Sequence, residues 1–370
     1  MSNEEQLKLI LKTISPVFIG TGEIISRAEI ALKNHVLYVA NIEKMANKID
    51  LDKLNKLIRK AVTEKKGKHE ELERIVKEGY EYRVVTGKNV EDISLELKEH
   101  IKVKNNLYIP GSSIKGSILS AIINTSLIEL AEFSQAFQEF VEDIANKKFK
   151  DKNKINSALV GIALQWLKNK DQLIRKYREI SKDEIKELGK RRFDRWIQVT
   201  DTNLVKIEKY GVILPVERKG GKGAPLPILQ EMIRRNKELE FEMNLLNSNQ
   251  EVKLKQLLEI VDKYYTKIFE KELKWCQDRK IRLVNNKLQK EENEYLLRIG
   301  LGTGNTAISL IPTMQELDPK NRLLATYGKN WRLTRVGGAA ARSKWFAEYP
   351  TKDGKRKYSP LGWVKVSIKE

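Results

Sequence analysis

Strand-patterned and helix-patterned segments interleave along the 370-residue chain without the regular strand–helix–strand rhythm of a doubly wound sheet. Alternating or apolar runs mark strands over Leu9–Ile19 (bent at Pro16), Glu29–Leu32, Val36–Val39, Leu107–Ile109, Trp196–Thr200, Val205–Leu214, Glu238–Leu246, Tyr295–Ile299, Arg332–Val336 and Trp363–Ile368. Asn34-His35 reads as a hairpin turn. Helical spacing covers 42–64, 69–78, a segment running from Ser112 into Leu127, nearly all of 129–195, and 251–293; residues 226–236 read as a short helix or loop. This irregular order predicts an α+β fold of the ferredoxin-like or RNA-recognition-motif-like type with a large helical insertion. At about 150 residues per domain, the length suits two units, interwoven or separate. The expected division is a first part of the core over 1–125, a helical insertion over 126–196, and a second part of the core over 197–370.

Charge comes next. Seventy Lys and Arg stand against fifty Asp and Glu, a net charge of +20. Such an excess repels itself unless a polyanion neutralises it, so nucleic acid, an anionic membrane or an acidic protein are the partner classes. No run of about 18 apolar residues stands out as a membrane span, and the acidic start Met1–Gln6 lacks the basic region of a signal peptide. Membrane is therefore the weakest class. Cys276 is the single cysteine, which rules out an internal disulfide and a cysteine-based zinc site and fits a cytoplasmic protein.

Four features carry candidate chemistry. In Pro110-Gly111-Ser112-Ser113-Ile114-Lys115-Gly116, a tight glycine turn leads into a helix. Ser112 or Ser113 can cap that helix, and its N-terminal N–H groups plus Lys115 make a phosphate cradle; the plain alternative is an ordinary N-cap. It is no Walker A loop, because Ser117 stands where the lysine belongs. Gly300-x-Gly302-x-Gly304 follows a strand and lets another backbone or RNA approach closely, or is a tight turn; its spacing does not match a dinucleotide fingerprint. Arg218-Lys219-Gly220-Gly221-Lys222-Gly223 reads as a basic loop, either reaching into nucleic acid or simply solvated. Last, residues 301–370 hold 13 Lys and Arg against 5 Asp and Glu. Arg335, Arg342 and Lys344 alternate there with aromatics, the mixture that binds single strands. Trp345, Phe346 and Trp363 are read as core.

Catalytic signals are poor. His35, His69 and His100 lie far apart in sequence, each among polar residues, and no HExxH or GxSxG element is present. Asp201 reads as a turn cap, with metal or base chemistry as the alternative. No cofactor or metal is expected.

Three segments together resemble the RAMP proteins of CRISPR systems: Thr13–Gly22 with Gly20-Thr21-Gly22, Tyr108–Gly116, and the loop Gly300–Gly304. Within that group the chain is similar to subunits of the type III-A Csm effector, in particular the one at the guide-RNA 3′ end, and Ser359–Val366 fits that likeness. The resemblance is thin over 126–196. It implies a structural, non-catalytic subunit that binds crRNA, caps the 3′ end of the crRNA filament and supports its 3′-end maturation. It places Gly20, Thr21, Gly22, Ser112, Ser113, Lys115, Gly302 and Gly304 along the RNA path. Implied partners are crRNA and target RNA, the backbone RAMP subunit, the small helical subunit and host trimming nucleases. Two other readings stand beside it: a RAMP-type repeat-RNA endonuclease using a histidine, with His35 the first suspect, and a basic RNA-binding module unrelated to CRISPR.

Overall fold

The computed structural model describes residues 4–64, 69–87, 90, 96–133, 135–145, 197–220, 228–246, 253–285, 287–301, 313, 316–317, 344–349 and 356–369. Its first sheet holds β1 (Glu4–Thr13), β9 (Ile197–Val199), β13 (Glu238–Leu246), β14 (Glu294–Arg298) and β17 (Trp363–Ile368). They lie in the order β14-β17-β1-β13-β9, with every neighbouring pair antiparallel. Helix α4 (Gly111–Phe133) sits in the crossover from β1 to β9, and α7 (Leu254–Asp278) in the crossover from β13 to β17. Without the edge strand β14, this is the 4-1-3-2 order of a ferredoxin-like fold. The α+β expectation holds.

Register explains the layer. On β1, Leu9 and Leu11 are fully buried, while the alternate residues Gln6 and Lys8 face out. Helix α4 buries Ile114, Ile118, Ala121, Ile122, Leu127 and Leu130 at helical spacing. It packs on α7, where the Ser117 hydroxyl donates to Tyr265 Oη at 3.0 Å. In length and composition α4 could cross a membrane, contrary to the sequence reading, but over half of it is buried against protein as a core helix. It also runs through residue 125, where the helical insertion is expected to begin. α5 (Gln135–Ala145) follows, and 146–196 lie outside the described residues.

The second sheet has six strands. They are β2 (Gly20–Ile25), β6 (Leu97–His100), β11 (Gly211–Lys219), β12 (Ile228–Ile233), β15 (Lys344–Tyr349) and β16 (Lys357–Pro360), ordered β16-β15-β11-β12-β6-β2. Only β12 and β6 pair in parallel. A three-stranded sheet of β3 (Ile30–Lys33), β4 (Val36–Ala40) and β5 (Tyr80–Val85) packs with α1 (Ile42–Ala46), α2 (Leu51–Thr63) and α3 (Glu70–Glu78) around a separate core that includes Met45, Leu54 and Val76. Short strands β7 (Lys102–Val103), β8 (Asn106–Leu107) and β10 (Val205–Lys206), the helical turn α6 (Ile207–Tyr210) and a single 3-10 turn at Arg27–Glu29 complete the described elements.

Several sequence expectations are corrected. Within the segment 226–236, read as a short helix or loop, Ile228–Ile233 form strand β12. Leu229 to Ile233 are all buried, so no two-residue alternation advertises the strand. The expected strand 205–214 is interrupted by α6. The helix 42–64 is two helices, because the Asp50 carboxylate caps a fresh start by accepting from the Asp52 and Lys53 N–H groups. Asn34 and His35 do form the hairpin turn, with φ of 51° and 60°. The strand expected at 332–336 lies outside the described residues.

One buried ionic cluster ties the layers together. Glu272 on α7 accepts from Arg298 Nη1 (3.0 Å), Lys344 Nζ (2.9 Å) and Trp363 Nε1 (2.7 Å). Burial alone would raise the Glu272 pKa, but the two cations outweigh it and hold it below the usual carboxylate range. Replacing Glu272 by Gln leaves two cations uncompensated in the interior and is expected to cost about 3–5 kcal/mol in urea unfolding. A loss under 1 kcal/mol would mean the cluster is not enclosed.

Candidate nucleic-acid interface

The segments singled out from the sequence meet along the seam between the two large sheets. The Ile19 N–H donates to Nδ1 of His100 at 3.2 Å, and His100 Nε2 lies 3.2 Å from the Tyr108 carbonyl. Since Nδ1 accepts, the ring proton belongs on Nε2, donated to Tyr108. The Leu301 N–H donates to the Phe18 carbonyl at 2.8 Å, and the Ile101 N–H to the Ile19 carbonyl at 2.8 Å. Residues 18–22, 100–116 and 300–301 therefore share one wall.

The glycines of this wall divide into two kinds. At Gly111 a Cβ would overlap the Val199 carbonyl of β9, and at Gly300, with φ of +85°, it would overlap the Phe18 carbonyl. Protein backbone, rather than a ligand, demands glycine at both. At Gly22, with φ of +99°, and at Gly116 on the surface of α4, a Cβ would meet nothing. Gly22 needs its backbone angle; Gly116 has no internal reason to be glycine.

Gly20, Thr21 and Gly22 are exposed, on the outermost strand of the six-stranded sheet. Thr21 Oγ1 donates to Glu99 Oε2 at 3.2 Å and accepts the Glu23 N–H at 3.1 Å, which pins the strand. At the start of α4, Asp201 is the cap: its Oδ1 accepts the Gly111 N–H at 2.7 Å. Neither serine takes that role, a correction to the sequence expectation. Ser112 is exposed, Ser113 and Lys115 half-buried, and among the described residues the Ser112 N–H and the Lys115 ammonium have no partner.

Other expected residues sit elsewhere. Lys344 is drawn into the Glu272 cluster, its side chain only 10% exposed. Lys219 pairs with Glu217 at 2.6 Å and lies over the Tyr358 ring. Both charges are answered within the protein. Arg218 is exposed. Lys222, Gly302, Gly304, Arg335 and Arg342 lie outside the described residues. Of the histidines, His100 is fully buried, His69 faces the Glu64 carbonyl, and His35 stands exposed at its hairpin tip. Among the described residues no cluster could hold a metal ion.

A cleft of about 650 Å³ lies where β1, β17 and residues 284–291 meet, lined by Lys12, Asn236, Lys287, Lys290 and Lys365 among others. Three of these lysines already pair with Glu238, Asp262 and Glu294, which leaves the cleft near electrical balance. The sequence reading missed the basic turn Arg234-Arg235-Asn236-Lys237 between β12 and β13, where Asn236 has φ of 58°. An Asn among cations after an apolar run was the available signal, hidden by taking 226–236 as helix or loop.

A ferredoxin-like sheet with a glycine-edged wall defines an RNA-recognition-type α+β protein. Residues 10–307 match the RAMP superfamily, and the chain belongs to it. It is similar to the CRISPR system Cms protein Csm5 of Methanocaldococcus jannaschii, 25% identical over 96% of this chain and 88% of that protein. A chain in the cryo-EM structure of a type III-A Csm–crRNA–target RNA ternary complex has the same fold, with TM-score 0.61, 21% identity, and coverage of 99% of this chain and 100% of that one. The crystal structure of T. onnurineus Csm5 does too, with TM-score 0.60, 19% identity, and coverage of 96% and 99%.

Burial lowers the His100 pKa to about 4 from 6.5, with the nearby Lys102 charge adding to the effect. As pH falls below 6.5 the unfolded chain takes up this proton first, so stability is full above 6.5 and is lost progressively down to 4. The gap corresponds to about 3 kcal/mol. Urea unfolding across this range should show a steeper loss in the parent than in His100→Asn; parallel curves would contradict a neutral buried ring.

Proposed function

We propose that this chain is the guide-RNA-binding structural subunit of a type III-A CRISPR RNA-targeting ribonucleoprotein in the cytoplasm. It caps the 3′ end of the crRNA filament and supports 3′-end maturation by nucleases supplied from elsewhere, without a cleavage step of its own. The backbone RAMP subunit and the small helical subunit are its neighbours in this reading, and target RNA pairs with the guide it holds.

The observation that carries the proposal is the exposed wall of Gly20–Gly22, Ser112 and Lys115. It offers a glycine edge and, on the helix that follows Tyr108, an N–H and an ammonium that have no partner among the described residues, on a chain of net charge +20. Donors without acceptors are what a ribose-phosphate backbone requires. Asp201 already occupies one N–H of that helix end, so Lys115 supplies most of the attraction. The Csm5 likeness over nearly the whole chain supports the particular subunit. Against the endonuclease reading, His100 is enclosed with both ring nitrogens on backbone groups, and the exposed His35 ring makes no hydrogen bond or ion pair among the described residues.

Sequencing RNA that co-purifies with the chain is expected to return guide-length molecules with repeat-derived tags; bulk tRNA or ribosomal RNA alone would overturn the assignment. Lys115→Ala should weaken RNA binding and lower the slope of log affinity against log salt by about 1. Gly116→Ala should stabilise α4 by about 0.5–1 kcal/mol yet reduce RNA affinity, because the added methyl stands where the RNA backbone comes close. A Gly116→Ala protein that is more stable and binds RNA unchanged would remove the close-approach argument.

A further inference from the structure

The helix expected over 251–293 ends instead at Asp278, and a basic segment in extended form follows it. Lys280, with φ of 54°, reverses the chain, and the Arg279 and Ile281 N–H groups both donate to the Cys276 carbonyl, at 3.2 and 3.0 Å. The chain then runs beside β16: the Tyr358 N–H donates to the Arg282 carbonyl (2.8 Å), and the Val284 N–H donates to the Tyr358 carbonyl (2.9 Å). Ile281 and Leu283 pack on Trp275, Cys276 and Phe346, while the alternate residues Lys280 and Arg282 are exposed. Arg279 Cζ lies 4.3 Å from the centroid of the Trp275 ring, which steadies its guanidinium. Residues 279–290 hold five Lys and Arg and no Asp or Glu. Among the described residues only one of these five, Lys290, has a carboxylate partner, Asp262.

This segment runs into the cleft of about 650 Å³ that lies between β1, β17 and residues 284–291. Arg282 stands two residues before the lining residue Val284, about 7 Å along an extended chain. The cleft and its approach differ in chemistry. Inside, Lys12, Lys290 and Lys365 are answered by Glu238, Asp262 and Glu294, and Lys287 is matched in number by Glu291, so the interior carries little net charge. What it offers instead is amides. The side chains of Asn236, Asn285 and Gln289 line it, and none of the three has a hydrogen-bond partner among the described residues. Asn236 and Gln289 are exposed, so the cleft is open to solvent, and Ile14 and Leu288 add apolar surface. Amides pair with nucleobase edges, which carry donors and acceptors without charge, and an apolar wall takes the flat ring. Unpaired cations along the approach suit phosphates.

We propose that the cleft receives one splayed base of a single-stranded RNA whose backbone lies over Lys280 and Arg282, at a site separate from the α4 wall. The inference rests on the RNA-binding reading and adds a place where a base, rather than a phosphate, is held. An acidic protein segment would engage the same cations but has no use for a charge-balanced cleft lined by amides.

The test measures binding of a single-stranded oligoribonucleotide to the full chain over a range of salt, for the parent, Arg282→Gln and Asn285→Ala. Arg282→Gln should weaken binding and lower the slope of log affinity against log salt by about 1. Asn285→Ala should weaken binding about fivefold while keeping the parent's salt slope and melting temperature, because it removes a base contact and no internal bond. A strand of the same length built from abasic residues should bind the parent and Asn285→Ala equally. Parent-like affinity and slope in both variants would overturn the site. A lower slope in Arg282→Gln with no loss in Asn285→Ala, or an Asn285→Ala loss that persists on the abasic strand, would overturn the base cleft. Poly-glutamate that binds the parent but not Arg282→Gln, with RNA binding unaltered, would overturn it in favour of an acidic protein. RNA loss in both variants but none in Lys115→Ala would sink the α4 wall and leave this site standing; the reverse would sink this site alone. A parent that binds no RNA would sink the RNA-binding reading itself.

Discussion

Everything in this molecule hangs on six residues of backbone, 14–19, that cross from the ferredoxin-like sheet to the six-stranded one. Ile14 and Ser15 donate to the Trp363 carbonyl, Val17 exchanges both bonds with Ile233, and the Pro16 carbonyl accepts from Gly362. The Phe18 carbonyl accepts from Leu301, and Ile19 bonds Ile101 and His100. A buried crossing has no water to satisfy its amides, so each must find protein. That requirement places Gly300 and His100 where they are, and it fixes the exposed Gly20–Gly22 strand, whose Gly20 lies opposite His100.

Much of the first sheet was legible, because β1, β13, β14 and β17 each bury one face or carry short apolar runs bounded by turns. The second sheet was not. β12 is buried along its length, so alternation vanishes, and β2 is so rich in glycine that it reads as a turn. β15 and β16 hide among lysines whose charges are answered from elsewhere in the chain. The candidate wall was legible as three motifs, and of the described glycines Gly300 was read as a place of close approach, Gly111 only as a tight turn. What approaches differs: Gly111 and Gly300 face protein carbonyls, a distinction that depends on β9 and on residue 18, far away in sequence.

Charge shows the same limit. A count of cations cannot separate those that face solvent from those committed inside. Lys344 and Arg298 converge on Glu272, while Lys102, its side chain 8% exposed, joins Glu231, Glu99 and the Tyr82 hydroxyl. Enclosed pairs of this kind stabilise little beyond a well-packed apolar core, but removal of one member is severe. Among the described residues, Lys115 is a cation left without such a partner.

The pairing of β1 has a consequence for biosynthesis. The amino-terminal strand finds its neighbours only in β13 and in β17, with Leu11 opposite Leu239 on one side and Val366 on the other. Until β13 has been made, Leu9 and Leu11 have no strand to join, and until β17 follows, helices α4 and α7 have no completed platform. Such long-range closure makes folding slow and leaves nascent apolar strands open to misassociation. The small unit around α1–α3, whose contacts are local, is the part able to form while synthesis continues.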